Sequence, residues 1–150
     1  QGMSRPLQHE LNDALAAVLG DMQQAVDQLA QVLEAERAAL DTRDSDALDQ
    51  AGTRKQAIML QLEQLDAERQ QLADEQPAVA AASTSVWSKV VQKLQYCHLL
   101  NQRNGSVVSQ RLSQTRRALA VLTGHAGESE LYGRSGELHA SLRSQVLAAV

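Results

Sequence analysis

The sequence predicts an all-α protein: an antiparallel bundle of three long helices with coiled-coil-like packing, followed by a mobile C-terminal amphipathic helix. Three observations carry this expectation. Apolar residues recur in alternating steps of four and three over three long stretches, the pattern of a helical seam. Aromatic residues make up only 2% of the 150-residue chain and Phe is absent, so the core must be aliphatic and the local preference is helical. The breaks between seams coincide with turn and cap residues or with Pro77.

The first helix is expected over about 7–40, after Pro6. Leu11, Leu15, Val18, Met22, Ala25, Leu29, Val32 and Ala39 form its seam, with Glu36 as the charged member of the series. At 1.5 Å per residue such a helix is about 50 Å long, well beyond the globular average. The stretch DTRDSDALDQ, residues 41–50, breaks that register and supplies Asp44, Ser45 or Asp46 as a helix cap.

A second helix follows over about 46–75, with Leu48, Ala51, Lys55, Ile58, Leu62, Leu65, Arg69 and Leu72 in its seam. A sharp hairpin closing near residue 43 places Glu36 within about a turn of Lys55. The two off-pattern charges then either pair across the seam or snorkel separately to solvent.

Pro77 and the small residues after it predict a loop from about 74 to 85, with Ser83, Thr84 or Ser85 to cap a third helix over 86–122. Its seam reads Trp87, Val91, Leu94, His98, Asn101, Gly105, Val108, Leu112, Thr115, Leu119 and Leu122. Asn104-Gly105 is a strong hairpin signal in isolation. Here it lies inside a helical period that resumes on both sides, so a single helix passes through it. A helix-interior glycine costs about 1 kcal/mol relative to Ala, and close approach by a neighbouring helix is the expected compensation at Gly105. Asn101 and Asn104 are expected to make inter-helix or solvent hydrogen bonds, a structural role rather than a ligand-binding one.

Residues 3–122 thus form the bundle. Gly124, Gly127, Gly133 and Gly136 then lie in a stretch without periodicity, expected to be a flexible linker. Beyond it Leu138, Leu142, Val146 and Ala149 fall on one helical face, with Leu147 beside it. So short a helix needs a surface on which to bury that face: it docks on the bundle or awaits a partner.

The long hairpin with Lys55 and Arg69 in its second arm, the Trp87-led helix carrying Asn101-x-x-Asn104-Gly105, and Tyr132 with Gly136 in the LYGRSG segment resemble the FlgN-type flagellar export chaperones. The resemblance runs from about residue 8 to 137, and its specificity lies in the order and spacing of short motifs. It implies a cytoplasmic chaperone of type III export that binds hook-associated (hook-filament junction) proteins, prevents their premature assembly and delivers them to the export gate. It also implies that the C-terminal portion, with Leu138, Leu142, Val146 and Leu147, contacts the client's C-terminal helical segment, and that Tyr132 docks to the gate. The competing reading is a structural coiled-coil protein that oligomerises through its seams and has no client, since heptads fit self-association as well as an intramolecular bundle.

Other classes fit poorly. With 14 Lys+Arg against 18 Asp+Glu the net charge is −4, without the basic stripe expected for nucleic-acid binding. No apolar run reaches the roughly 18 residues of a membrane span, the N-terminus lacks the pattern of a signal peptide, and the lone Cys97 reads as a small buried hydrophobe, so a reducing cytoplasm is expected. Gln1-Gly2 before Met3 reads as the remnant of a cleaved tag. His98 lacks the lysine-glycine pair that follows a phosphotransfer histidine, Asn101 and Gln102 standing there instead, and is expected to hydrogen-bond to Asn101 or the adjacent helix. The histidines and carboxylates are scattered, so neither a metal, a cofactor nor an enzymatic activity is expected.

Overall fold

A computed structural model of the protein describes residues 5–123. The described chain is all-α, with four helices in the order α1 (Arg5–Thr42), α2 (Ser45–Glu75), α3 (Pro77–Ala82) and α4 (Thr84–Thr123). α1, α2 and α4 are the three long helices of an up-down-up bundle. The expected linker and amphipathic segment after residue 123 lie outside the described residues.

α1 starts before Pro6, which falls in the first turn, where the missing N–H has no intrahelical role to lose. α1 is the spine of the bundle. Its buried side chains include the expected seam from Leu15 to Ala39, and also a second row, Leu19, Val26, Leu33 and Leu40, repeating every seven residues. Together the rows make an apolar face broad enough for two neighbours, wider than the strict seam of a two-stranded coiled coil. α2 and α4 both pack on α1, and no Cα atoms of α2 and α4 approach within 8 Å of each other.

The α1–α2 hairpin closes through two residues. Arg43 takes the left-handed conformation at φ 55°, its N–H reaching the Leu40 carbonyl at 3.3 Å, and the Asp44 N–H reaches the Ala39 carbonyl at 3.0 Å. This pattern satisfies the last carbonyls of α1. Asp44 then caps α2, its Oδ1 accepting the Ala47 N–H at 3.1 Å.

The segment expected to be a loop contains α3. Pro77 occupies the first helical position, where its fixed φ is already helical, and the alanines that follow are the best helix formers available. α3 buries Val79 against the core. The hydroxyls of Ser83 and Thr84 do not cap α4 but donate back to the carbonyls of Val79 and Ala81.

α4 passes unbroken through Asn104-Gly105, but its buried line is Val90, Leu94, Cys97, Asn101 and Asn104. The expected seam shared Leu94 and Asn101 and placed Val91, His98 and Gly105 where their preceding neighbours lie. All three are half-buried at the shoulder of the contact. The two lines differ by one residue at alternate positions, and the row on α1 that receives Val90, Cys97 and Asn104 selects between them. Close approach at Gly105 is therefore corrected: a Cβ built there meets no atom within 4 Å.

Replacing Gly105 by Ala should consequently stabilise the protein by about 1 kcal/mol, the helix-propensity difference alone. Urea denaturation of the two proteins checks this, and a destabilised variant would mean that Gly105 is there for contact after all.

Candidate functional site

Three seams each contain a polar interruption, and the fold brings these together. Lys55 of α2 donates through Nζ to Glu36 Oε2 of α1 at 2.8 Å and to Asn101 Oδ1 of α4 at 3.0 Å. Asn104 of α4 donates through Nδ2 to the other oxygen of Glu36 at 3.0 Å and to the Leu33 carbonyl at 2.9 Å. All four residues are buried, Lys55 to 2% exposure and Glu36 to 6%. Of the two alternatives for the charges, pairing is the one realised.

Burying an isolated charge is prohibitive, whereas a paired charge whose remaining valences are hydrogen-bonded is tolerated. Glu36 accepts on both oxygens and Lys55 reaches both flanking helices, so any sliding of one helix past another would strand a charge in apolar surroundings. The quartet has no unpaired acid or base to offer a substrate. Its role is to lock register.

The register is regular along the bundle. Asn104 meets Leu33, and the Cys97 thiol lies 3.7 Å from the Val26 carbonyl, both at an offset of 71 residues, so α4 runs parallel to α1. Two heptads from Lys55–Asn101, Arg69 of α2 stacks over Trp87 of α4 at 3.7 Å from the ring centre, while its Nε donates to Asp66 at 2.9 Å. Long side chains thus join α2 to α4 at two levels.

The other residues singled out in the sequence take different places. His98 does not bond to Asn101, whose oxygen is taken by Lys55, and its Nδ1 is buried without a partner among the described residues. Cys97 is buried, and desolvation, with a further contribution from the nearby Asp27 carboxylate, pushes its thiol up from 9.0 to about 11. Among the described residues no cluster of His, Cys, Asp or Glu could hold a metal ion, and no helix is long and apolar enough to cross a membrane. Tyr132, Leu138, Leu142, Val146 and Leu147 lie outside the described residues. Beside the quartet an open groove of about 390 Å³ runs between α1 and α4, with Leu33, Leu100, Arg103 and Asn104 in its walls.

Compared with known families, residues 3–140 match the model of the FlgN protein family. The chain belongs to the FlgN family. FlgN proteins are chaperones of flagellar export, and this chain is therefore a flagellar export chaperone. No curated protein and no solved structure matches the chain. The matched span covers the whole FlgN bundle described above and continues past α4.

Truncating one partner of the quartet should be far more damaging than its size suggests. Glu36→Ala should lower stability by about 3–5 kcal/mol because Lys55 is left buried and uncompensated, and the Glu36→Ala, Lys55→Ala double variant should lose clearly less than the two single losses together. Urea denaturation of the four proteins measures the coupling. Additive losses would show that the two charges act independently.

Cys97 should resist thiol reagents in the native protein, since little thiolate forms below its pKa of about 11 and the residue is only 3% exposed. Because the folded value lies above the unfolded 9.0, this preference stabilises the fold fully below pH 9.0 and is lost as pH rises through about 11. Labelling with a chromogenic disulfide should accelerate to the free-thiol rate only in denaturant. Rapid labelling near neutral pH in buffer would contradict the burial.

Proposed function

We propose that this chaperone binds hook-associated proteins in the cytoplasm through the apolar positions Leu138, Leu142, Val146 and Leu147, prevents their premature assembly, and delivers them to the export gate by way of Tyr132. Family membership over residues 3–140 carries the reading. The spacing of the four apolar residues supports it, because they fit one face of a helix that can pair with an amphipathic terminal helix of a client.

The bundle also weighs against the structural coiled-coil alternative. The heptad rows of α1 are already covered by α2 and α4 of the same chain, so they create no demand for a permanent partner. Nor does the quartet suggest catalysis, its charges being mutually neutralised and closed to solvent.

Calorimetric titration of the full chain with the C-terminal helical segment of a hook-associated protein tests the reading. Saturable binding should be lost when Leu138, Leu142, Val146 and Leu147 are all replaced by Ser, with the thermal stability of the bundle unchanged. Undiminished binding by that variant would move the client site onto the bundle, and absence of binding by the unaltered chain would refute the client assignment.

A further inference from the structure

α4 outruns its neighbours. At the constant offset of 71, Thr42 at the end of α1 lies level with Ser113, while α4 continues to Thr123. Residues 114–123 therefore project about 15 Å past the α1–α2 turn, with no described helix beside them.

A helix that stands alone in water is exposed alike on every side. This one is not. Arg116, Leu119 and Ala120 are half-buried, whereas every other residue of the projection is exposed. At 100° per residue those three share one flank, an arc of about 100° that continues from the half-buried Leu112 at the level of the turn. Ala118 and Ala120 carry the same side chain two residues apart, yet Ala118, off the flank, is exposed and Ala120, on it, is half-buried. Away from the flank Val121 and Leu122 are 86% and 80% exposed. Leu119 and Ala120 stand about 9–10 Å beyond the level of Thr42, and residues 1–4 adjoin the opposite end of α1.

We infer that the cover is the chain's own C-terminal segment: residues 138–150 fold back as a helix along this flank of α4, setting Leu138, Leu142 and Val146 against Leu119 and Ala120. The dimensions fit. The segment is about 20 Å long as a helix and the flank from Leu112 to Thr123 about 16 Å. Residues 124–137, which join them from the tip of α4 itself, can reach about 45 Å. A helix this short needs a surface for its apolar face, and the flank is the nearest one along the chain. Charge favours the same occupant. The joining stretch carries Glu128, Glu130 and Glu137 against Arg134, beside a flank with Arg116 at its middle and Arg117 at its edge. A second copy laid flank to flank would instead bring Arg116 towards its like. The docking is argued from the bundle alone. Its consequence, that client and α4 compete for Leu138, Leu142 and Val146, rests on the client positions proposed above.

Amide hydrogen exchange of the full chain without client tests the docking. Residues 138–150 should exchange at least about tenfold more slowly than an unstructured peptide of the same sequence. A Leu119→Ser, Ala120→Glu variant should lose that protection, while a Val121→Ser, Leu122→Ser variant, altered on the exposed sides of the same turns, should keep it. Circular dichroism checks that both variants stay folded. Absence of protection in the unaltered chain would overturn the proposal, as would equal protection in all three proteins or equal loss in both variants. Protection that fades on dilution would also overturn it, by showing that the segment covers a second copy. For the competition, the Leu119→Ser, Ala120→Glu variant should bind the C-terminal helical segment of a hook-associated protein at least about threefold more tightly than the unaltered chain does. Equal affinity would refute the competition. Failure of every protein to bind that segment would count against the client reading, and the exchange measurement, which needs no client, would still decide the docking.

Discussion

A buried ammonium that must be neutralised sets the register of the bundle. Lys55 reaches Glu36 on one side and Asn101 on the other, and Asn104 closes the circuit back to Glu36. Aliphatic seams are permissive, since leucine in one heptad packs nearly as well against the next. The polar quartet is not, because its donors and acceptors match in one alignment. Helices as long as these have several near-equivalent registers to choose from, and a network of this kind removes the wrong ones by leaving charges unpaired.

Around that constraint the architecture is asymmetric. α1 is apolar across two rows and serves both neighbours, whereas α2 and α4 each bury a narrower stripe and touch each other through side chains alone. The short turn at Arg43 and Asp44 fixes where α2 begins, and α3 with Val79 spans the longer return to α4. The chaperone scaffold is thus a rigid hairpin with a third helix laid along one side of it and projecting beyond its tip.

Much of this was legible from spacing. The charges at positions 36 and 55 interrupt largely apolar seams, and a hairpin near residue 43 brings them level, so their pairing could be anticipated as one of two outcomes. Three features escaped. The row Leu19, Val26, Leu33 and Leu40 repeats as faithfully as the first seam, yet tracing one line per helix conceals a second, and with it the role of α1 as spine. In α4, Val90-Val91 and Cys97-His98 offer adjacent residues of similar character, so periodicity could not choose the buried member of each pair; the facing row on α1 does. Glycine in a seam usually signals a close contact, but shifting the line by one residue puts Asn104 in the core and Gly105 in open space. The small side chains after Pro77 suggest a loop, although intrinsic propensity and a proline at the first position suffice for one short helix.

The stacking of Arg69 on Trp87 has an optical consequence. Trp87 is the sole tryptophan in a chain with only two tyrosines, so the near-ultraviolet emission of the protein comes almost entirely from one indole. That indole sits at the seam where α2 and α4 meet through side chains, beneath a guanidinium whose charge tunes its excited state. Any event that lifts α4 away from the hairpin is therefore written into the colour and intensity of native emission, giving this chaperone an internal reporter of its own opening.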